Sequence, residues 1–147
     1  RLRDASGADA ARNFYWLSTR PDILDYENTT YFVTPAKQFA DLTALEDLPE
    51  VALQVSTDVS PRENAAELTV LLSNPSDVLA FFVELRVVDG EGISILPVLW
   101  DDNYLSILPG ESRELTARFP TAGDVTGATL VLEGWNVTAT EVPLATR

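Results

Sequence analysis

The chain has 147 residues and a formal net charge of −13, from 23 acidic against 10 basic side chains. That length suffices for one domain with a proper core, and an acidic balance of this size repels nucleic acid and anionic membrane. Cys and His are both absent, which excludes disulfides, thiol chemistry, Ser-His and Cys-His nucleophiles and His-ligated metal, leaving carboxylates, Lys37, Tyr and Ser/Thr as the catalytic vocabulary.

A hydrophobic content of 46% argues a folded chain, and 9 Pro with 7 Gly suit many short strands separated by turns. The longest apolar run, residues 78–83, falls far short of the roughly 20 residues a membrane-spanning helix needs. The chain opens Arg1-Leu2-Arg3-Asp4 with no apolar segment behind those charges and contains no Met. It therefore reads as an internal or C-terminal piece of a longer polypeptide. Its acidity is spread, with nine acids and five bases in residues 1–50 and fourteen and five in residues 51–147. This pattern fits the solubility of an exported or salt-adapted protein, with attraction of a cationic sugar as the alternative.

In chain order, residues 1–3 read as the end of one strand, Ser6-Gly7-Ala8-Asp9 as a turn, and residues 12–18 as an aromatic-rich second strand. A lone hairpin is not stable in water, so its sister strands are expected in a preceding domain. Residues 19–49 lose periodicity and read as a linker with one helical turn before Pro49. Phe32, Phe39, Leu42, Leu45 and Leu48 make that linker too apolar for a free tether, and it is expected to pack on the following domain.

From residue 50 strand signals follow in series. Val51, Leu53 and Val55 alternate with Ala52, Gln54 and Ser56, and Leu68, Val70 and Leu72 share an inner face before the turn Asn74-Pro75-Ser76-Asp77. Phe81, Val83, Leu85 and Val87 alternate with outward residues and end at Asp89-Gly90-Glu91-Gly92, a hairpin signal. Residues 93–100 would form the return strand, and Pro97 would place it at a sheet edge. Residues 96–112 are expected to hand the chain from one sheet to another, with Pro109-Gly110 as a type II turn. Leu115, Ala117 and Phe119 mark the next strand, residues 120–127 a loop, residues 128–137 a strand and residues 140–144 a last one. About seven strands over residues 50–147 predict an all-β immunoglobulin- or fibronectin-like sandwich, preceded by the hairpin at 1–18 and the extended linker at 19–49.

Chemistry concentrates in Trp100, Asp101, Asp102, Asn103 and Tyr104. Asp101 and Asp102 with Glu111 have the residue types of a glycosidase acid and nucleophile, but neighbours on a strand point to opposite faces and a sandwich edge offers no deep cleft. Calcium would accept these oxygens, yet the spacing is not that of an EF-hand loop, so neither a metal nor a cofactor is assigned. Trp100, Tyr104 and Trp135 could stack on sugar rings if exposed, although such rings more often fill the core of a sandwich or a domain contact. Asn28-Thr29-Thr30 and Asn136-Val137-Thr138 match the glycosylation acceptor pattern, a frequent chance match.

Three segments carry a family resemblance: residues 12–18; Tyr31-Phe32-Val33-Thr34-Pro35 with residues 40–45; and residues 96–111. The most specific part is Asp102-Asn103-Tyr104 followed by Leu108-Pro109-Gly110-Glu111. Together they resemble the C-terminal region of glycoside hydrolase family 2 exo-β-D-glucosaminidases, with similar versions in the related β-mannosidases. The resemblance implies a non-catalytic terminal sandwich of a secreted, extracellular multidomain enzyme releasing glucosamine from chitosan oligomers. Residues 1–18 would then close a preceding sandwich. It implies the parent's other domains as partners, while the side chains of residues 100–104 are themselves the candidate contact with a domain or an oligosaccharide. The family's catalytic glutamates match no residue here. A stand-alone carbohydrate-binding or cell-surface adhesion module is the rival reading.

Overall fold

The structure is a computed structural model describing residues 1–121, 125 and 127–145. The chain falls into two compact units, Arg1–Asp47 and Leu48–Arg147.

In the first unit β1 (Leu2–Arg3) pairs antiparallel with β2 (Asp9–Ala11). The intervening turn is held by Asp4, whose Oδ1 accepts the Ser6 and Ala8 amides at 2.8 and 3.1 Å. These bonds, the Ser6 hydroxyl first, keep the Asp4 carboxyl below its usual value. The expected second strand over residues 12–18 does not form; β2 ends at Ala11. Strand propensity in aromatic residues expresses packing on a half-buried sheet. Here both faces of the segment are exposed, with Tyr15 and Leu17 at 75% and 88% and Trp16 at 49%.

Residues 19–49 are more ordered than a linker without regular elements. β3 (Ile23–Leu24) pairs with β4 (Ala36–Gln38), enclosing a 3-10 turn at Tyr26–Asn28. A second such turn at Thr43–Leu45 is the helical turn expected before Pro49.

The second unit is a two-sheet sandwich. β5 (Gln54–Arg62), β6 (Ala65–Ser73), β10 (Ser112–Pro120) and β8 (Leu99–Trp100) form one sheet in the order β5-β6-β10-β8. β12 (Val137–Pro143), β11 (Thr129–Gly134), β7 (Ala80–Val88) and β9 (Leu105–Ile107) form the other in the order β12-β11-β7-β9. Period-2 alternation sends Leu68, Val70, Leu72, Leu115 and Phe119 inward from the first sheet. Val83, Leu85, Val87, Leu130 and Leu132 face them from the second, in one continuous apolar cluster. Leu115 lies opposite Val70, and Leu132 opposite Leu85, so cross-strand neighbours share the inner face.

Four expectations shift. The first strand runs over residues 54–62 rather than 51–56, because it pairs along its length with β6; Val51 instead bridges Val137 in parallel. Residues 93–100 are not one strand: Ser94 bridges Val88, and the chain then leaves this sheet to pair Leu99 and Trp100 with Arg118 and Ala117 in the other. The edge position expected there does hold for β8. Residues 128–137 are not one strand either, since the chain turns at Trp135-Asn136 and returns as β12 over residues 137–143. Among the described residues the sandwich thus has eight strands where about seven were expected, two of them only two and three residues long. Ala122, Gly123, Asp124 and Thr126 of the expected 120–127 loop lie outside the described residues.

Candidate functional site

Residues 96–112 cross between the sheets, entering the first as β8, the second as β9 and the first again as β10. The Leu108-Pro109-Gly110-Glu111 turn closes by a 3.0 Å bond from the Glu111 amide to the Leu108 carbonyl. Gly110 sits at φ 69, as a type II turn requires of its third residue. Glu111 turns back, its Oε2 accepting the Leu108 amide at 3.1 Å.

Each of the five site residues is engaged from within the sandwich. Trp100 is half-buried and packs on the core. Asp101 accepts the Thr116 amide at 3.0 Å and its hydroxyl at 3.1 Å, pinning the end of β8 to β10. Asp102 pairs with Arg113 at 2.8 Å. Asn103 acts as a substitute strand residue: its Oδ1 accepts the Leu85 amide at 2.9 Å and its Nδ2 donates to the Leu85 carbonyl at 3.0 Å. Tyr104 stands in the left-handed region at φ 53, and its hydroxyl donates to Glu84 Oε1 at 3.0 Å. That bond and the Glu84 charge push the Tyr104 phenol above its ordinary value.

The three carboxylates thus answer to different partners, Asp101 to Thr116, Asp102 to Arg113 and Glu111 to the Leu108 amide. Among the described residues, no group of three or more acidic side chains is placed to hold a metal ion.

What the structure brings together instead is Tyr104 with Phe82, a residue that belongs to none of the sequence motifs. A bulge in β7 between Ala80 and Val83 puts Phe82 at φ 54, with its ring outward. The Phe82 and Tyr104 rings lie 5.5 Å apart at 40°, and they are 48% and 53% exposed. Only the outward position of Phe82 in the alternation hinted at it. Trp135, expected in the core or at a domain contact, is 58% exposed at the β11–β12 turn.

The second glycosylation-like triplet proves structural. Asn136 is buried, accepts the Phe81 amide at 2.8 Å, and donates to the Pro49 and Leu79 carbonyls, each at 2.8 Å. Asn28 is exposed, with its amide donating to Asp25 Oδ2 at 2.6 Å.

Fold and surface together define an immunoglobulin-like sandwich module with a braced aromatic loop. The chain belongs to the family described as the exo-beta-D-glucosaminidase Ig-fold domain, whose model matches residues 31–137. The exo-beta-D-glucosaminidase of Amycolatopsis orientalis is 39% identical over 97% of this chain, which spans 14% of that protein. The exo-beta-D-glucosaminidase of Streptomyces avermitilis is 36% identical over 98% of the chain and 16% of its own length. The crystal structure of Amycolatopsis orientalis exo-chitosanase CsxA superposes with a TM-score of 0.85 at 36% identity, covering 97% of this chain and 17% of that one. Among the described residues no helix is long and apolar enough to cross a membrane.

Proposed function

We propose that the chain is the non-catalytic, C-terminal sandwich of a longer, secreted exo-β-D-glucosaminidase that releases glucosamine from chitosan oligomers, and that it buttresses the parent's other domains. One observation carries this reading: the relatives align across 97% of the chain, yet the chain makes up only 14% of the first of them. In this reading residues 1–18 close a preceding sandwich, residues 19–49 connect it, and residues 50–147 form the terminal one. Phe82 and Tyr104, with the loop over residues 100–104, supply a domain contact. The names of the relatives favour a glucosaminidase over a β-mannosidase parent.

The full-length polypeptide should hydrolyse chitosan oligomers, and the 147-residue chain alone should not. Hydrolysis by the isolated chain would overturn the proposal. The exposed Phe82–Tyr104 pair beside Glu84 favours one second reading, a sugar-stacking surface. Calorimetric titration of the chain with chitosan oligomers separates the two, because heat abolished by Phe82→Ala would assign the pair to sugar.

A further inference from the structure

None of residues 1–47 is buried, although this unit carries Tyr15, Leu17, Tyr26, Tyr31, Phe32 and Phe39. A segment that covers apolar side chains only in part, as at Ala36, Ala40 and Leu45, has little to offset the entropy of its own ordering. Its most exposed aromatic pair, Tyr31 and Phe32, sits in the loop between β3 and β4. The loop between β3 and β4 is laced by its own bonds: the Asp25 amide donates to the Pro35 carbonyl at 2.8 Å, and the Thr30 amide to the Val33 carbonyl at 2.9 Å. The Thr29 and Thr34 hydroxyls meet at 3.2 Å, and Lys37 Nζ lies 3.3 Å from Asp25 and 3.5 Å from Glu27. At the tip the Tyr31 and Phe32 rings stand edge to face, 4.4 Å between centroids, at 91% and 87% exposure.

We infer that Tyr31 and Phe32 form an anchor that inserts into an apolar pocket on another domain of the same longer polypeptide, with a hydrogen-bond acceptor in that pocket for the Tyr31 hydroxyl. Rigid aromatic side chains that dock with little further loss of freedom are what binding hot spots are made of. The occupant follows from length. Both rings lie within the matched residues 31–137, and relatives that align with nearly all of this chain devote 14% to 16% of their length to it. The bulk of such a polypeptide is therefore available to receive them. This inference rests on the proposed place of the chain in a longer enzyme and names the contact that secures it.

Hydroxyl-radical footprinting of the native full-length polypeptide, referenced to the same polypeptide unfolded in urea, reads the two rings directly. Oxidation of Tyr31 and Phe32 should be at least about tenfold slower in the native protein, as for residues sealed from water in a hot spot. Equal native and unfolded rates would overturn the anchor and leave the proposed function standing. Protection that appears only on self-association, or only with added chitosan oligomers, would assign the rings to a second copy or to sugar and overturn it as well. A native polypeptide no heavier than the 16.1 kDa of this chain would instead overturn the proposed function itself.

Discussion

Replacing Asn136 by Ala should cost about 3 kcal/mol in chemical denaturation, because each buried polar group left without its partner costs on the order of 1 kcal/mol or more. Three backbone groups depend on that amide, the Phe81 N–H and the Pro49 and Leu79 carbonyls. Its triplet is therefore occupied by folding and not by a glycan. Tyr104 yields a prediction in pH. Its hydrogen bond to Glu84, with the Glu84 charge, raises the phenol above its ordinary value. Folding thus favours the protonated ring, and the stability this lends is complete below the unfolded value and lost as pH climbs through the higher folded one. Ultraviolet titration should find Tyr104 ionising later in the native chain than in the Glu84→Gln variant. The Asn103–Leu85 and Asn136–Phe81 bonds were invisible in the sequence, since each joins a side chain to a backbone group far along the chain, 18 and 55 residues away.

At the scale of elements, Pro109-Gly110 was legible because its chemistry is local. Gly110 holds φ 69, and a Cβ there would meet nothing within 4 Å. Gly110→Ala should therefore lower stability by backbone strain alone, about 1 kcal/mol in urea unfolding, with the core untouched. The inward faces of β6 and β10 were legible for a similar reason, as alternation at period 2 is printed in consecutive residues. Residues 93–100 were not. Their apolar content suits a strand, but Ser94 answers to Val88 in one sheet and Trp100 to Ala117 in the other, and no local pattern encodes that change of partner. The aromatic residues 12–18 misled for the opposite reason, having strand composition without a strand beside them.

At the scale of the molecule, every buried apolar side chain among the described residues lies between Val51 and Leu144. Residues 48–147 expressed alone should therefore fold and unfold in one cooperative transition, as followed by circular dichroism in rising denaturant. Loss of that transition would mean that residues 1–47 supply part of the fold. The sandwich class was legible in the sequence because strand count and turn spacing are properties of the whole segment, tolerant of errors at single boundaries. The surface at Phe82 and Tyr104 was legible only in part, since it needs a bulge in β7 to aim one ring at the other.

The broken fourth strand of the second sheet has a bearing on how the protein behaves when concentrated. Along β7 the outer rank is assembled from Ile107 and Leu105, then the Asn103 side chain, then Ile95 and Ser94. A growing aggregate needs a straight, uninterrupted row of free backbone donors and acceptors on which to add a strand. This rim offers short antiparallel fragments with a side chain standing between them, so the flank beside the aromatic pair is a poor template for fibril growth.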